Sequence, residues 1–318
     1  MSPTKTTRHD PLRRPAPIPV DGVLLLDKPF GLTSNQALQK VKRLLNAKKA
    51  GHTGSLDPAA TGMLPLCFGE ATKICAYMLD ADKIYRVTAR LGESTDTGDA
   101  DGQVTAIADV PHLKSADWLR IFKQFIGEIP QVPPMYSALK VDGKRLYALA
   151  RQGRTVERQP RTIRIHELQL LEAQDRRLVF RAHCSKGTYI RTLVEDLAKS
   201  AGTIAHTSGL HRESVGDFQA ADMLDLPGAQ RAAEETPGGL QKYLLAPDQA
   251  LLHWPERHLD STAVRRFIEG QSIAVDALGA LAAGTLVRVY GEWEAFLGIG
   301  ELTGGNLLKP RRVFRTLL

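Results

Sequence analysis

Cysteine is scarce in this chain of 318 residues. Cys67, Cys75 and Cys184 are an odd number, at spacings that match neither a zinc site nor a redox pair. A disulfide scaffold is excluded, and the three are expected as small buried hydrophobes in a reducing cytoplasm. Long apolar runs are missing as well. None approaches the roughly 20 residues of a membrane-spanning helix, and the charged, proline-broken start lacks a signal-peptide core, so no membrane partner is expected. Several catalytic signatures are also absent. No lysine follows the glycine-rich loop in the P-loop pattern, and there is neither a G-x-S-x-G elbow nor an H-E-x-x-H helix. The nine histidines show no tight ligand cluster along the sequence. These absences argue against metal catalysis and serine hydrolysis, and predict chemistry with no cofactor and no metal.

What is present is a globular composition, 43% apolar and 24% charged, with length enough for more than one domain. Lys and Arg number 42 against 35 Asp and Glu, a net charge of +7. That balance suits a polyanion such as RNA, although many soluble proteins are basic and charge alone does not decide.

The chain is organised around Gly51-His-Thr-Gly-Ser-Leu-Asp-Pro-Ala-Ala-Thr-Gly62. Its glycines and small hydroxyl residues mark a loop, and Pro58 biases the preceding Asp57 toward an extended or turn conformation. A stiff loop presenting one carboxylate beside His52 suits an active site or an ordinary turn. The loop alone leaves both readings open. Before it, residues 1–20 read as a disordered basic arm carrying Arg8, Arg13 and Arg14. Gly22–Leu26 reads as a buried strand, and Ser34 or Asn35 can cap a helix with Leu38, Val41, Leu44 and Leu45 on one face. After it, Met63–Phe68 reads as a buried strand and Glu70–Leu79 as a short helix. Lys83–Leu91 alternates with Tyr85, Val87, Ala89 and Leu91 on one side, the pattern of a half-buried strand.

Residues 92–102 resemble a calcium loop only superficially, since the closing glutamate is missing, so a polar hairpin connection is expected. A helix with Trp118, Leu119, Phe122, Phe125 and Ile126 as core follows, then an extended proline-rich stretch and a helix near Arg145–Gln152. Strands near Thr162–Leu171 and Leu178–Cys184 lead to a helix that starts beside Tyr189 and Arg191, where free N–H groups favour anions. The strands and helices intermix without βαβ regularity. The expected class is therefore α+β, with a largely antiparallel mixed sheet flanked by helices. Residues 227–239 read as a flexible insertion, and 255–318 as a small β-rich domain with a basic edge of Lys309, Arg311, Arg312 and Arg315. A lone carboxylate, a pair of tyrosines and scattered basic residues fit nucleophilic or base chemistry on a sugar or nucleobase, with aromatic stacking on an unpaired base.

At this point the loop 51–62 closely resembles the catalytic loop of the TruB family, the bacterial tRNA pseudouridine-55 synthases. Four further segments match in the same order: Asp27-Lys-Pro-Phe-Gly-Leu-Thr-Ser34, Lys83-Ile-Tyr-Arg86, Val132-Pro-Pro-Met-Tyr-Ser-Ala-Leu-Lys140 and Ser185-Lys-Gly-Thr-Tyr-Ile-Arg191. The resemblance implies a pseudouridine synthase fold over residues 21–250 and a small RNA-binding, PUA-like domain over 255–318. It further implies a reaction in which uracil leaves ribose C1′, turns, and rejoins through C5. Asp57 matches the catalytic aspartate, Tyr85 the aromatic against the flipped uracil, Tyr189 a tyrosine near C5, and Arg191 the partner of Asp57. His52 corresponds to the T-loop site, Lys28 and Pro29 to the motif supporting the active-site wall, and Lys73 to an RNA contact. Leu210-His-Arg-Glu213 stands where the family shows a leucine, two basic residues and a small hydroxyl, so His211 and Glu213 depart from the pattern. The implied partner is the T-arm of tRNA, bound by a monomer without guide RNA or protein partner. An RNA-folding protein and a guide-dependent homologue are the alternative readings.

Overall fold

The structure, a computed structural model, describes residues 16–137, 139–141, 143–275 and 281–315. Residues 1–15 of the expected arm, with Arg8, Arg13 and Arg14, lie outside the described residues. The rest of that arm is ordered. Ile18 N donates to Asn46 O at 2.9 Å, and Val20 is buried.

The chain opens with β1 (Gly22–Lys28), α1 (Ser34–Leu44), β2 (Ala50–His52) and β3 (Thr61–Phe68). A short 3₁₀ turn leads through α2 (Cys75–Leu79) into β4 (Lys83–Leu91), β5 (Glu93–Thr95) and β6 (Val104–Ile107). There follow α3 (Ser115–Lys123), β7 (Gly127–Gln131), the small hairpin β8 (Lys140–Val141) and β9 (Lys144–Arg145), and α4 (Leu146–Ala150). The long hairpin β10 (Arg161–Gln174) and β11 (Arg177–Cys184) precedes α5 (Ile190–Ser200), β12 (Ala205–Val215), β13 (Leu224–Asp225) and α6 (Leu226–Glu235). A second body contains β14 (Glu256–His258), α7 (Ser261–Ile268), β15 (Ile273–Ala274), β16 (Leu286–Tyr290), β17 (Phe296–Thr303) and β18 (Leu307–Val313).

Among the described residues the first body is built on a mixed sheet in the order β13-β1-β3-β12-β4-β11-β10-β7, with β2 also on β3, and β5–β6 and β8–β9 form separate two-stranded ladders. Only the β1–β13 and β3–β12 pairs are parallel, so the expected α+β class with a largely antiparallel sheet is what forms. The two edges of β3 position the site. β1 pairs along the whole of one edge. The other edge is shared: β2 takes Leu66–Phe68, and β12 takes Thr61 and Gly62. The loop 53–60 therefore springs from the sheet where one neighbour gives way to the next. Gly62 marks the hand-over, because at its φ of +98° an added Cβ would collide with the Arg212 backbone.

The inward face of β4, with Tyr85, Val87, Ala89 and Leu91, packs with Phe180 and Ala182 of β11 against α5 and α3. On α3 the buried stripe is Trp118, Ile121 and Phe122, whereas the expected core residues Leu119 and Ile126 are each 46% exposed. The helix ends at Lys123, so Ile126 falls off its face. A second correction concerns residues 227–239, which are no flexible insertion. Asp225 accepts from Gly228 N at 2.7 Å and caps α6, whose Ala229 and Ala232 are buried in the same core as α1. Small alanines permit close packing, and composition alone disguised that as a linker.

The second body is a five-stranded sheet, β14-β16-β17-β18-β15, closed by α7 through Phe267. Its Ile299 and Phe314 join Val23, Leu25, Met63, Ile74 and Phe218 of the first body in one shared cluster. None of the described helices is long and apolar enough to cross a membrane.

Candidate active site

The loop around Asp57 is fixed from both sides by residues of the first α/β connection. Ser34, expected as a helix cap, binds the loop instead. Its hydroxyl accepts from Leu56 N at 2.7 Å and donates to Leu56 O at 3.0 Å, while Thr33 caps α1 through Gln36 N. On the other side, Lys28 Nζ donates to Pro29 O, Leu32 O and Pro58 O at 2.8, 2.7 and 3.3 Å, and Gly31 N donates to Pro58 O at 2.8 Å. The residues flanking Asp57 are thus both anchored. In the Lys28–Pro29 motif, the buried ammonium braces the loop through Pro58 O, and the Pro29 carbonyl accepts one of its hydrogens. Burial drives the Lys28 pKa down to about 8, against the pull of Asp57.

Asp57 Oδ2 meets Arg191 Nη2 at 3.1 Å. The guanidinium is buried and its donors are shared out. Nη2 also donates to Tyr136 O at 2.7 Å, and Nη1 to Thr97 O at 2.8 Å, with Asp99 Oδ2 at 3.4 Å. Arg191 belongs to the first turn of α5, so it is aimed by the helix start that the sequence pointed to. Asp99 was missed there. The polar connection 92–102 is also the arm that carries a second carboxylate to Arg191, and a bridge from Asp99 to Thr207 holds it. Burial raises the Asp57 pKa above its ordinary value; Arg191 opposes this, Asp99 and Asp101 add to it, and Lys28 opposes it. Asp57 itself keeps an open side, with 47% of its side chain exposed against 8% for Arg191. A carboxylate pressed from behind and open in front is arranged to act on a substrate.

Tyr85, buried on the inward face of β4, and Tyr189, before α5, both feel the charge of the same carboxylate. Both phenol pKa values are raised chiefly by burial, and the charge of Asp57 contributes to each. They stay neutral at physiological pH. Tyr189 is set by Gln131, whose side chain accepts from Tyr189 N at 2.8 Å and donates to Tyr189 O at 3.1 Å. His52 lies at the end of β2, its Nδ1 buried without a hydrogen bond inside the protein, and burial lowers its pKa so that the ring is neutral.

Arg212 is a further residue that pattern reading passed over. It is 1% exposed, with Nε donating to Met63 O at 2.7 Å and Nη2 to Gly54 O at 3.1 Å. It ties β12 to both ends of the candidate loop, and its charge acts on Tyr85, His52 and Lys28. The departures beside it have partners as well. His211 Nδ1 lies 2.9 Å from Thr61 Oγ1, and Glu213 pairs with Arg181 at 2.6 Å. Leu210 packs against the edge of the main core.

Lys73 is not brought to this site. It pairs with Glu70, donates to Val313 O at 2.6 Å and lies 5.5 Å from the Phe314 ring centroid, which makes it a clasp between the two bodies. The basic edge of β18 is partly engaged too, Arg311 by Glu301 and Arg312 by the Tyr77 ring.

This architecture is that of the pseudouridine synthases. The solved structure titled "Crystal Structure of a Cbf5-Nop10-Gar1 Complex" superposes with a TM-score of 0.73 at 27% identity, covering 92% of this chain and 84% of that one. The one titled "Structure of H/ACA RNP bound to a substrate RNA containing 2'-deoxyuridine" gives 0.72 at 25% identity, covering 93% and 85%. Residues 42–190 match the TruB family pseudouridylate synthase N-terminal domain, and 255–314 match the C-terminal domain of pseudouridine synthase II TruB. The tRNA pseudouridine synthase B of Cupriavidus metallidurans is 49% identical over 95% of this chain and 98% of its own length. That of Pseudomonas aeruginosa is 48% identical over 93% and 97%. The chain belongs to the TruB family.

Proposed function

We propose that this protein converts uridine 55 in the T-loop of tRNA to pseudouridine, with Asp57 as the catalytic group. The observation that carries the proposal is the Asp57–Arg191–Asp99 array on a loop braced at Leu56 and Pro58, with two neutral tyrosines beside it. Reaching a base within a folded RNA requires its extrusion, at a cost of a few kcal/mol. Tyr85 offers the extruded uracil a face on which to rest, and Tyr189 stands where the proton at C5 is removed. The bond from N1 to C1′ breaks, uracil turns, C5 bonds to C1′, and the C5 proton is lost as N1 regains one. Lys28, Pro29 and Arg212 hold the wall, His52 and Leu210 line the approach, and Lys73 serves the joint between the bodies. The domains divide at 21–250 and 255–318, the latter adding RNA contact. The enzyme acts in the cytoplasm as a monomer on the T-arm, without guide RNA or protein partner.

These assignments rest on the relatives named above and on the site's chemistry. The test is a bare T-arm transcript carrying [5-³H]uridine, incubated with the purified chain alone. Tritium release at a single T-loop uridine supports the proposal. Release only after a guide RNA is added would instead favour the guide-dependent reading.

A further inference from the structure

Among the described residues, a cluster of ligating side chains lies outside this site, on the sheet face turned away from α3 and α5. It depends on a bulge in β10. Ile163 and Ile165 face the core, but the next core residues are Leu168 and Leu170, so the alternation slips by one at His166 and Glu167. Bulges place an extra residue on one face and re-aim its side chain. Here the slip brings His166 beside His183 of β11, with ring centroids 4.6 Å apart and planes inclined by 38°. Asp82, the residue before β4, completes the group. Its backbone is fixed by Gly216 N donating to Asp82 O at 2.9 Å.

His166 Nε2 is 3.0 Å and His183 Nε2 3.9 Å from the same oxygen, Asp82 Oδ2. One ligand atom from each residue falls within 4.8 Å of the others. Without an ion, His166 Nε2–H can donate to Asp82 Oδ2 at 3.0 Å; in the other tautomer the Nε2 lone pairs of both rings and the carboxylate oxygen are directed at one point. That second arrangement is the donor set a cation takes, one nitrogen from each ring and one carboxylate oxygen. Donors at about 2.0–2.2 Å around a tetrahedral ion stand about 3.3 Å apart, so the spacings seen here need only small rotamer shifts.

We propose that Asp82, His166 and His183 form a binding site for a divalent first-row transition ion of the zinc class. Two imidazoles with a single carboxylate disfavour magnesium and calcium, which prefer all-oxygen shells. The remaining positions are open to solvent, as all three side chains are partly exposed. The ion would clasp β4, β10 and β11 on the opposite face of the sheet from Tyr85, outside the cleft of Asp57. The two histidines are 17 positions apart, and only the β10–β11 hairpin unites them.

The experiment uses the full-length chain stripped of metal, titrated with Zn²⁺ by calorimetry and with Co²⁺ by visible absorption. The expected result is one tight ion per chain, a Co²⁺ ligand-field band of low-symmetry N/O coordination, and a higher Tm with Zn²⁺. His166→Gln, His183→Gln and Asp82→Asn, conservative changes at partly exposed positions, should each weaken binding by at least about 10–100-fold. Equal affinity in the His166→Gln/His183→Gln double variant would overturn the proposal by placing the ion elsewhere, the cysteines included. No uptake by the wild-type chain would overturn it outright.

Discussion

At Asp57 two influences oppose each other, and their balance sets what substitutions should do. Burial outweighs the attraction of Arg191, so the pKa of this carboxyl is raised in the folded state. A raised acid means the folded chain binds more protons than the unfolded one, so ionising Asp57 costs stability as pH rises through its titration. Asp57→Asn removes that cost while keeping the shape. Its thermal unfolding at pH 7 should match or exceed the wild type, even as turnover falls on the order of 10⁴-fold or more. Arg191→Met should behave in the opposite way. It leaves Asp99 buried without its cation, at about 3–5 kcal/mol, measured by urea unfolding. With the depressing charge gone, the acidic limb of the kcat/KM profile should move to higher pH; an unmoved limb would mean that Arg191 does not tune Asp57. The loop pattern singled out Asp57 without deciding its role; its pairing with Arg191, implied by the resemblance, is the contact seen at 3.1 Å. Asp99 and Arg212 were not legible, since their partners lie 92 and 158 positions away and meet them only through the sheet.

The loop that carries Asp57 is held by the elements that brace it at Leu56 and Pro58. Ser34 holds both polar groups of Leu56, so Ser34→Ala leaves a buried N–H unpaired at about 1–3 kcal/mol. Because it displaces the neighbour of Asp57, kcat should fall up to about 100-fold with little change in KM. A change in stability alone would mean that the brace does not position Asp57. Lys28 and Lys83, each lowered by burial to about 8, make a further prediction. Unfolded lysine titrates near 10.5, so between about pH 8 and 10.5 the unfolded chain binds more protons and stability should rise with pH. Urea midpoints of Lys28→Met and Lys83→Met should show a weaker rise. Element type followed from pattern where one face alternates cleanly, as in β4. It failed at α6, where alanines gave no apolar stripe, and at Ser34, since a hydroxyl at a helix start caps the helix or reaches across to another loop.

Over the whole molecule, the two sheets are joined by a shared apolar cluster and by the Lys73 clasp. Phe314→Ala should cost about 3–5 kcal/mol and, by loosening this joint, split thermal unfolding into two calorimetric transitions. A single transition at lower temperature would show that the bodies unfold together without it. The division into a large mixed sheet and a small β-rich body was visible in the change of composition after Trp254. Their packing was not, because Lys73 read as an RNA-facing cation until its partners were known.

The claim that Asp57 carries out uridine isomerisation is tested most directly by tritium release from a [5-³H]uridine-labelled tRNA transcript, comparing wild type with Asp57→Asn at equal occupancy. Release from one T-loop uridine by the wild type, and none above background by a variant that still binds the transcript, is the predicted result. Appreciable release by Asp57→Asn would contradict it.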